Sequence, residues 1–303
     1  MSKQNYNSEE YIGLFDRLFT LLLHILPHHF LSSLMYGLTR SEWPVLKRQL
    51  IRVAIRLYRV DMGIAEEPDP DKYPSFNAFF TRALKPEARP LTPEIEAIAS
   101  PVDGSVSQAQ AIKNGLLFQA KGQFYALEEL LGGDRQWAQR FENGNFATIY
   151  LSPRDYHRIH MPLTGRLIKM IHVPGRLFSV NNACARTIPR LFSRNERIVN
   201  LFETDAGPMA VIMVGAIFVA SMDTVWSGCV APRSRGITDW SYSGAAPEPI
   251  KLKKGAEMGR FNMGSTVILL FGKNAVRWSE SLQAGADVRM GEEIGKLEKA
   301  APN

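Results

Sequence analysis

The chain has few cysteines, no long apolar run and no repeated or biased segment, and each shortage excludes something. Its 303 residues hold two cysteines, Cys184 and Cys229, in no metal-like spacing. Zinc-finger and disulfide-framework folds therefore drop out, and stability has to come from a packed core. The most apolar stretch, Leu18 to Leu26, is broken by Thr20 and His24 and ends at Pro27. That is well short of the ~20 apolar residues a spanning helix needs. The first ten residues are polar and lack a basic n-region, so no secretory signal is expected. No solenoid-length repeat is present, which removes repeat arrays. Acid is in deficit too: 36 Lys and Arg against 30 Asp and Glu give a net charge of +6. An excess of base points to an anionic partner, either nucleic acid or lipid.

What is present reads as three regions. From Glu9 to Arg82 the pattern is helical. Ile12, Phe15, Phe19, Leu22 and Leu26 recur at three and four, sharing one face. A second helical piece runs from Phe30 to Leu38 and a third from Pro44 to Val60, where proline suits a first turn. In the third, Leu46, Leu50, Val53 and Leu57 line one side, while Arg48, Arg52, Arg56 and Arg59 form a basic stripe. That stripe is backed by an apolar helix and not interleaved with stacking aromatics, so lipid fits better than nucleic acid. Tyr73 to Arg82 reads as a short aromatic helix, and Lys85 to Pro93 as an extended, proline-punctuated linker.

From Ile98 onward the pattern is β-rich. Ala147–Leu151, Gly165–Val173, Ala210–Met222 and Thr266–Phe271 are strand candidates. A helix is expected near Leu127 to Phe141, an irregular arginine-rich stretch over Asn181–Asn200, and a long loop from Pro232 to Pro249. The phrases Lys254-Gly255-Ala256-Glu257-Met258-Gly259 and Met290-Gly291-Glu292-Glu293-Ile294-Gly295 repeat a glycine turn leading into a strand. The fold class is therefore α+β. An N-terminal helical membrane-associating module and linker cover residues 1–93, and a β-rich, barrel- or sandwich-like catalytic domain covers 94–303.

Three segments can carry chemistry. Gly264-Ser265-Thr266 precedes an apolar, β-like run. By itself it is a turn entering a strand, but a serine hydroxyl beside an unshielded glycine carbonyl is also a self-cleavage site if a base takes the proton. Asp155-Tyr156-His157-Arg158-Ile159-His160 places two histidines three apart, which reads as surface histidines, as a zinc pair with Asp103, or as general bases. No glutamate flanks them as in a metalloprotease helix, so no metal is expected. Ser100-Pro101-Val102-Asp103-Gly104 is either a hairpin turn or an acid that orients a histidine.

Together these segments resemble the phosphatidylserine decarboxylase proenzymes of the bacterial membrane-associated type. Asn77 to Arg82, Leu191 to Arg197 and Gly207 to Ala210 support the resemblance, and Met263 stands where the family usually has leucine. The resemblance implies that Asp103 holds His160, and that His160 is general base toward Ser265. Ser265 then attacks the Gly264 carbonyl, and elimination leaves a covalent pyruvoyl group derived from Ser265. It further implies that this ketone condenses with the amine of phosphatidylserine and draws electrons from the Cα–carboxyl bond, with His157 donating the proton that returns to Cα. Two cleaved pieces forming a heterodimer, an optional dimer of such pairs, and a peripheral place on the anionic cytoplasmic side of the cell membrane complete the expectation. Arg186, Arg190, Arg194 and Arg197 are read either as steering the anionic headgroup or as a solvated face. Competing readings are the same self-cleavage serving a small amino acid, disfavoured by the lipid-facing helices, and a membrane adaptor without processing, disfavoured by the intact Asp103, His160 and Ser265.

Overall fold

The computed structural model describes residues 26–217, 221–231, 236–243 and 248–298. The first expected apolar stripe, apart from Leu26, lies outside them. Helix α1 (His28–Arg40) follows Pro27, and its last turn carries Arg40, which suits the negative end of the helix dipole. Helix α2 (Pro44–Tyr58) opens on Pro44 and closes at Arg59, whose φ of 55° is left-handed. Helix α3 (Phe76–Phe80) is capped by Ser75, whose Oγ accepts the Ala78 N–H at 3.2 Å. Among the described residues no helix is long and apolar enough to cross a membrane.

The apolar pattern of α2 splits between two faces. Ile51 and Ala54 are buried against Tyr73, Phe76, Phe79 and Phe80, forming a small core of their own. Val53 and Leu57, expected beside Leu46 and Leu50 on one stripe, face outward. The aromatic α3 is the better partner for the small Ala54 side, because close packing needs room for the rings.

The rest of the chain is β-rich, with open sheets. The large antiparallel sheet runs, in spatial order, through Thr238–Ser241, Gly165–Val173, Arg197–Thr204, Gly207–Val214, Ser265–Phe271, Asn145–Leu151, Gly104–Ala111 and Asp287–Val288. A smaller sheet orders Gly228–Ala231, Ser221–Thr224, Glu257–Asn262 and Arg158–His160. A third joins Ala97–Ala99, Glu293–Leu297 and Val276–Trp278. Val267 to Leu270 are fully buried, as a strand inside a sheet with both faces covered must be.

Several local expectations change. The expected helix 127–141 is two short helices, Leu127–Leu130 and Arg135–Phe141, divided at Gly132 and Gly133 with φ of 73° and 88°. Part of the expected loop 232–249 pairs as the edge strand Thr238–Ser241, its Asp239 in register with Ile171. The strand expected over 210–222 ends at Val214, and a separate strand begins at Ser221. Asp103-Gly104 is not a hairpin turn: it leads from a bend into the strand Gly104–Ala111. A Cβ at Gly104 would sit 2.4 Å from the Tyr150 carbonyl oxygen, so close backbone approach requires the glycine.

Candidate active site

The chain changes sheets at Gly264-Ser265. Glu257–Asn262 belongs to the smaller sheet and Ser265–Phe271 to the centre of the larger one, leaving Met263 and Gly264 to make the crossing. Both have left-handed backbones, φ 100° at Met263 and 29° at Gly264. For methionine this is a strained region, costing of order 1–3 kcal/mol, held only because both sheets fix the flanking strands. A Cβ at Gly264 would meet nothing within 4 Å, so the space beside its Cα is open. Ser265 itself is paired with Leu151.

His157 stands beside this crossing. Its backbone carbonyl accepts the Phe261 N–H at 3.0 Å, two residues before Met263. Its ring is fully buried under Phe80, with centroids 4.0 Å apart. Nδ1 donates to the Asp155 carbonyl at 2.8 Å, because a carbonyl can only accept. Nε2 is thereby the acceptor nitrogen, and it has no partner. Burial, aided by the positive charge of Arg82, lowers the His157 pKa to about 3, so the ring is neutral.

His160 is the second neutral imidazole. Its Nδ1 donates to the Gly255 carbonyl at 2.7 Å, and the Tyr156 hydroxyl donates to Nε2 at 3.1 Å. Burial lowers the His160 pKa and pushes Tyr156 up to about 12, so the pair rests as neutral phenol and neutral base. The two histidine rings bind different carbonyls and do not converge as a metal pair. Among the described residues no group of three His, Cys, Asp or Glu could hold a metal ion.

Asp103 does not hold His160. Its carboxylate is occupied by the Arg89 guanidinium, which donates Nε to both oxygens at 2.8 and 3.0 Å and Nη2 to one of them. The Met290 N–H adds a third anchor at 2.9 Å. The implied Asp103–His160 hydrogen bond is therefore absent, because a bidentate arginine outcompetes a neutral imidazole for a carboxylate. Asp103 still acts on His160 through space, its charge raising the His160 pKa against the larger effect of burial.

The repeated glycine turns explain this division. Gly255 and Gly291 both have left-handed φ, 79° and 89°. The first turn presents the carbonyl that orients His160, and the second presents the Met290 N–H that anchors Asp103. The pattern was legible in the sequence, its purpose was not. Residue type alone assigns no role to Tyr156, beside the histidines, or to Phe80, in the aromatic helix, and Arg89 falls in the expected linker. Arg197, read as headgroup-steering or solvated, is instead buried and donates to the carbonyls of Glu129, Leu130, Ser193 and Asn195.

A short polar chain also grips the residue before the crossing. The Asn77 amide donates to Asn262 Oδ1 at 3.0 Å, Asn262 Nδ2 donates to Ser221 Oγ at 2.7 Å, and Arg40 Nη2 donates to the same hydroxyl at 2.9 Å. Through it α1 and α3 both reach the strand that ends at the strained peptide.

Known proteins match this chain along most of its length. A family model described as phosphatidylserine decarboxylase matches residues 76–296, and one described as PSD matches residues 18–59. The phosphatidylserine decarboxylase proenzyme of Azotobacter vinelandii is 55% identical over 281 residues, covering 93% of this chain and 98% of that protein. The proenzyme of the same name from Bordetella pertussis is 53% identical over 279 residues, covering 92% and 94%. That of Stutzerimonas stutzeri is 52% identical over 281 residues, covering 93% and 95%.

Proposed function

The chain belongs to the phosphatidylserine decarboxylase family, and we propose that Gly264-Ser265 is where this member cuts itself and makes its pyruvoyl group. It is a proenzyme whose processed form decarboxylates phosphatidylserine to phosphatidylethanolamine and carbon dioxide. In processing, Ser265 Oγ attacks the Gly264 carbonyl carbon and its proton passes to the Tyr156–His160 pair. The acyl group moves from nitrogen to oxygen. Loss of the Ser265 α-proton then breaks the ester C–O bond and leaves Gly264 as a carboxylate. Water releases the nitrogen as ammonia. The observation that carries this reading is the strained crossing at Met263-Gly264, because the acyl shift relieves backbone angles that the two sheets impose. Asp103, locked by Arg89, favours the protonated form of His160 by its field and not by a hydrogen bond.

The residues around the crossing also fit the finished group. A fully buried imidazole with a bare acceptor nitrogen suits a ketone that must react with an amine and exclude water. When formed, that ketone supplies an electron sink for the pair left by carbon dioxide. His157 Nε2 takes a proton from the substrate's ammonium, freeing the amine, and later returns it to Cα. Burial opposes a charged His157 until the anionic substrate lies beside it and raises its pKa.

The two pieces stay together as a heterodimer. Ser265–Phe271 pairs on both sides, with Gly207–Val214 and Asn145–Leu151, so leaving would break two ladders. The membrane reading rests on the helical layer. Phe30, Leu34, Trp43, Val45 and Leu57 are each more than 60% exposed, and the last three lie on or next to α2, which carries Arg48, Arg52 and Arg56. A lipid surface satisfies both features, and this supports reading the protein as peripheral on the anionic cytoplasmic face of the cell membrane.

Intact-mass spectrometry of the purified protein tests the reading. It should show pieces 1–264 and 265–303, the smaller one beginning with pyruvoyl. A serine at that end, or a cut elsewhere, would overturn it.

A further inference from the structure

A cavity of about 260 Å³ opens beside Asp103 and Tyr156, and its wall is unusually basic. Five arginines line it: Arg59, Arg82, Arg89, Arg154 and Arg289. They come from four separate parts of the chain: the left-handed end of α2, the segment from α3 to the linker, the loop before His157, and the strand end next to the second glycine turn. Three aspartates share the lining, so the arginines are in surplus by two. Those aspartates are already committed. Asp103 holds Arg89, Asp155 accepts from the Ser152 N–H and hydroxyl at 2.7 Å, and Asp61 accepts from the Gly63 N–H at 2.8 Å.

Arg82 is the centre of the imbalance. It is 3% exposed, yet its Nε and Nη1 have no hydrogen-bond partner, and only Nη2 is used, donating to the Arg154 carbonyl at 3.2 Å. Burial lowers its pKa, outweighing the opposite charges of Asp103 and Asp155, neither of which bonds to it. A buried guanidinium with two idle donors is costly unless an anion completes it. Arg59 and Arg289 are exposed residues lining the same cavity, their guanidinium groups without a partner among the described residues.

We propose that this cavity is the subsite for the phosphodiester of the substrate headgroup, with Arg82 as its buried anchor and Arg59 and Arg289 at its mouth. The inference rests on the decarboxylase reading above. Planar, forked donors match phosphate oxygens, which is why arginine suits such a site. The volume lies below the ~300–1,000 Å³ of a pocket for a drug-sized ligand, so it takes a headgroup and leaves the acyl chains outside. Tyr156 forms part of the wall and also donates to His160, so an anion held here lies one side chain from the processing base. Arg82 is also close enough to His157 for its charge to act on that ring, so the serine end of a headgroup held here would extend toward the histidines and away from the arginines. Keeping the carboxylate unpaired matters, because a guanidinium on it would stabilise the ground state and not the loss of carbon dioxide.

Binding to the full, uncleaved Ser265→Ala chain tests the subsite without needing activity, so an inactive wild type would count against the decarboxylase reading alone. The probes are inorganic phosphate and glycerophosphoserine, the headgroup without acyl chains, titrated by calorimetry. Both should bind and compete, with glycerophosphoserine the tighter. Arg82→Met should weaken both by about 10- to 100-fold, the range for charged hydrogen bonds. Arg59→Gln with Arg289→Gln, both exposed and outside the core, should weaken both less, by a few-fold, and keeps the test valid should Arg82→Met fail to fold. In processed enzyme the same pair should raise KM for phosphatidylserine with kcat little changed. Phosphate binding without glycerophosphoserine binding would make this a free-anion site and overturn the proposal. So would affinities unmoved by the arginine variants.

Discussion

The β-rich body and the helical layer keep their apolar side chains in opposite places. In the body, Val267, Ile268, Leu269 and Leu270 lose all contact with water, as do most of their neighbours. In the layer, Ile51, Ala54, Val60, Tyr73 and the α3 phenylalanines form a small core, while Phe30, Leu34, Trp43 and Val53 stay out. Exposed apolar surface forgoes about 25 cal/mol per Å² of burial. The layer nevertheless has a second task. Phe80 roofs His157, and Asn77 and Arg40 join the chain of bonds that holds Asn262. His157 thus sits where the β-rich body meets the helical cover, and its burial depends on both.

The comparison breaks most completely at the strained crossing. Ser265→Ala should abolish cleavage and leave one full-length chain by mass, with thermal unfolding little changed, because the body does not need the cut to pack. A cleaved product from that variant would remove Ser265 from its role. Next in size is His157→Ala, which should still be cut but should decarboxylate about 10²–10⁴-fold more slowly, the usual share of a placed proton donor. If that chain stays whole, the two histidines work as one unit and their division of labour is wrong.

Phe80→Ala asks whether the layer dries the site. Loss of a buried phenylalanine costs about 3–5 kcal/mol, measurable by denaturant unfolding. It should also admit water to His157, whose pKa would climb from about 3 toward its ordinary value in an NMR titration. An unmoved titration would mean that the body alone sets the environment of the ring. The same group gives a pH dependence. The folded pKa lies below the unfolded ~6.5, so between these values the unfolded chain binds a proton that the folded one does not. Stability is full above pH ~6.5 and falls as pH drops toward 3, and in Phe80→Ala this decline should be shallower. The smallest effect belongs to the outer face. Arg48→Gln with Arg56→Gln should weaken cosedimentation with anionic vesicles by about 1 kcal/mol per residue while leaving cleavage intact. Unchanged sedimentation would take the basic stripe out of membrane binding.

Some elements were plain in the sequence because their signals are local. Gly165–Val173 appears with the expected bounds, α2 starts on its proline, and the glycine turns at 255 and 291 stand where the repeated phrase puts them. The edge strand Thr238–Ser241 was not visible, since a short polar strand shows no alternation and exists only because Gly165–Val173 offers a free edge. Arg197 reads as one more basic residue, and only the carbonyls gathered around it make it a core side chain.

By itself the sequence determined the chemistry available: a serine hydroxyl after glycine, two histidines, an acid, and helices with one apolar and one basic side. Those follow from residue type and short-range spacing. Tertiary structure alone decided the pairings. Asp103 went to Arg89 and Met290, the latter 187 residues away, and His160 went to Tyr156 and to Gly255, 95 residues away. It also set the left-handed backbone at Met263, which no local preference of methionine would choose. The reason is the same throughout. Hydrogen-bond partners, burial and backbone strain are properties of segments brought together from distant parts of the chain, and they exist only once the two sheets have fixed where Gly264-Ser265 must cross between them.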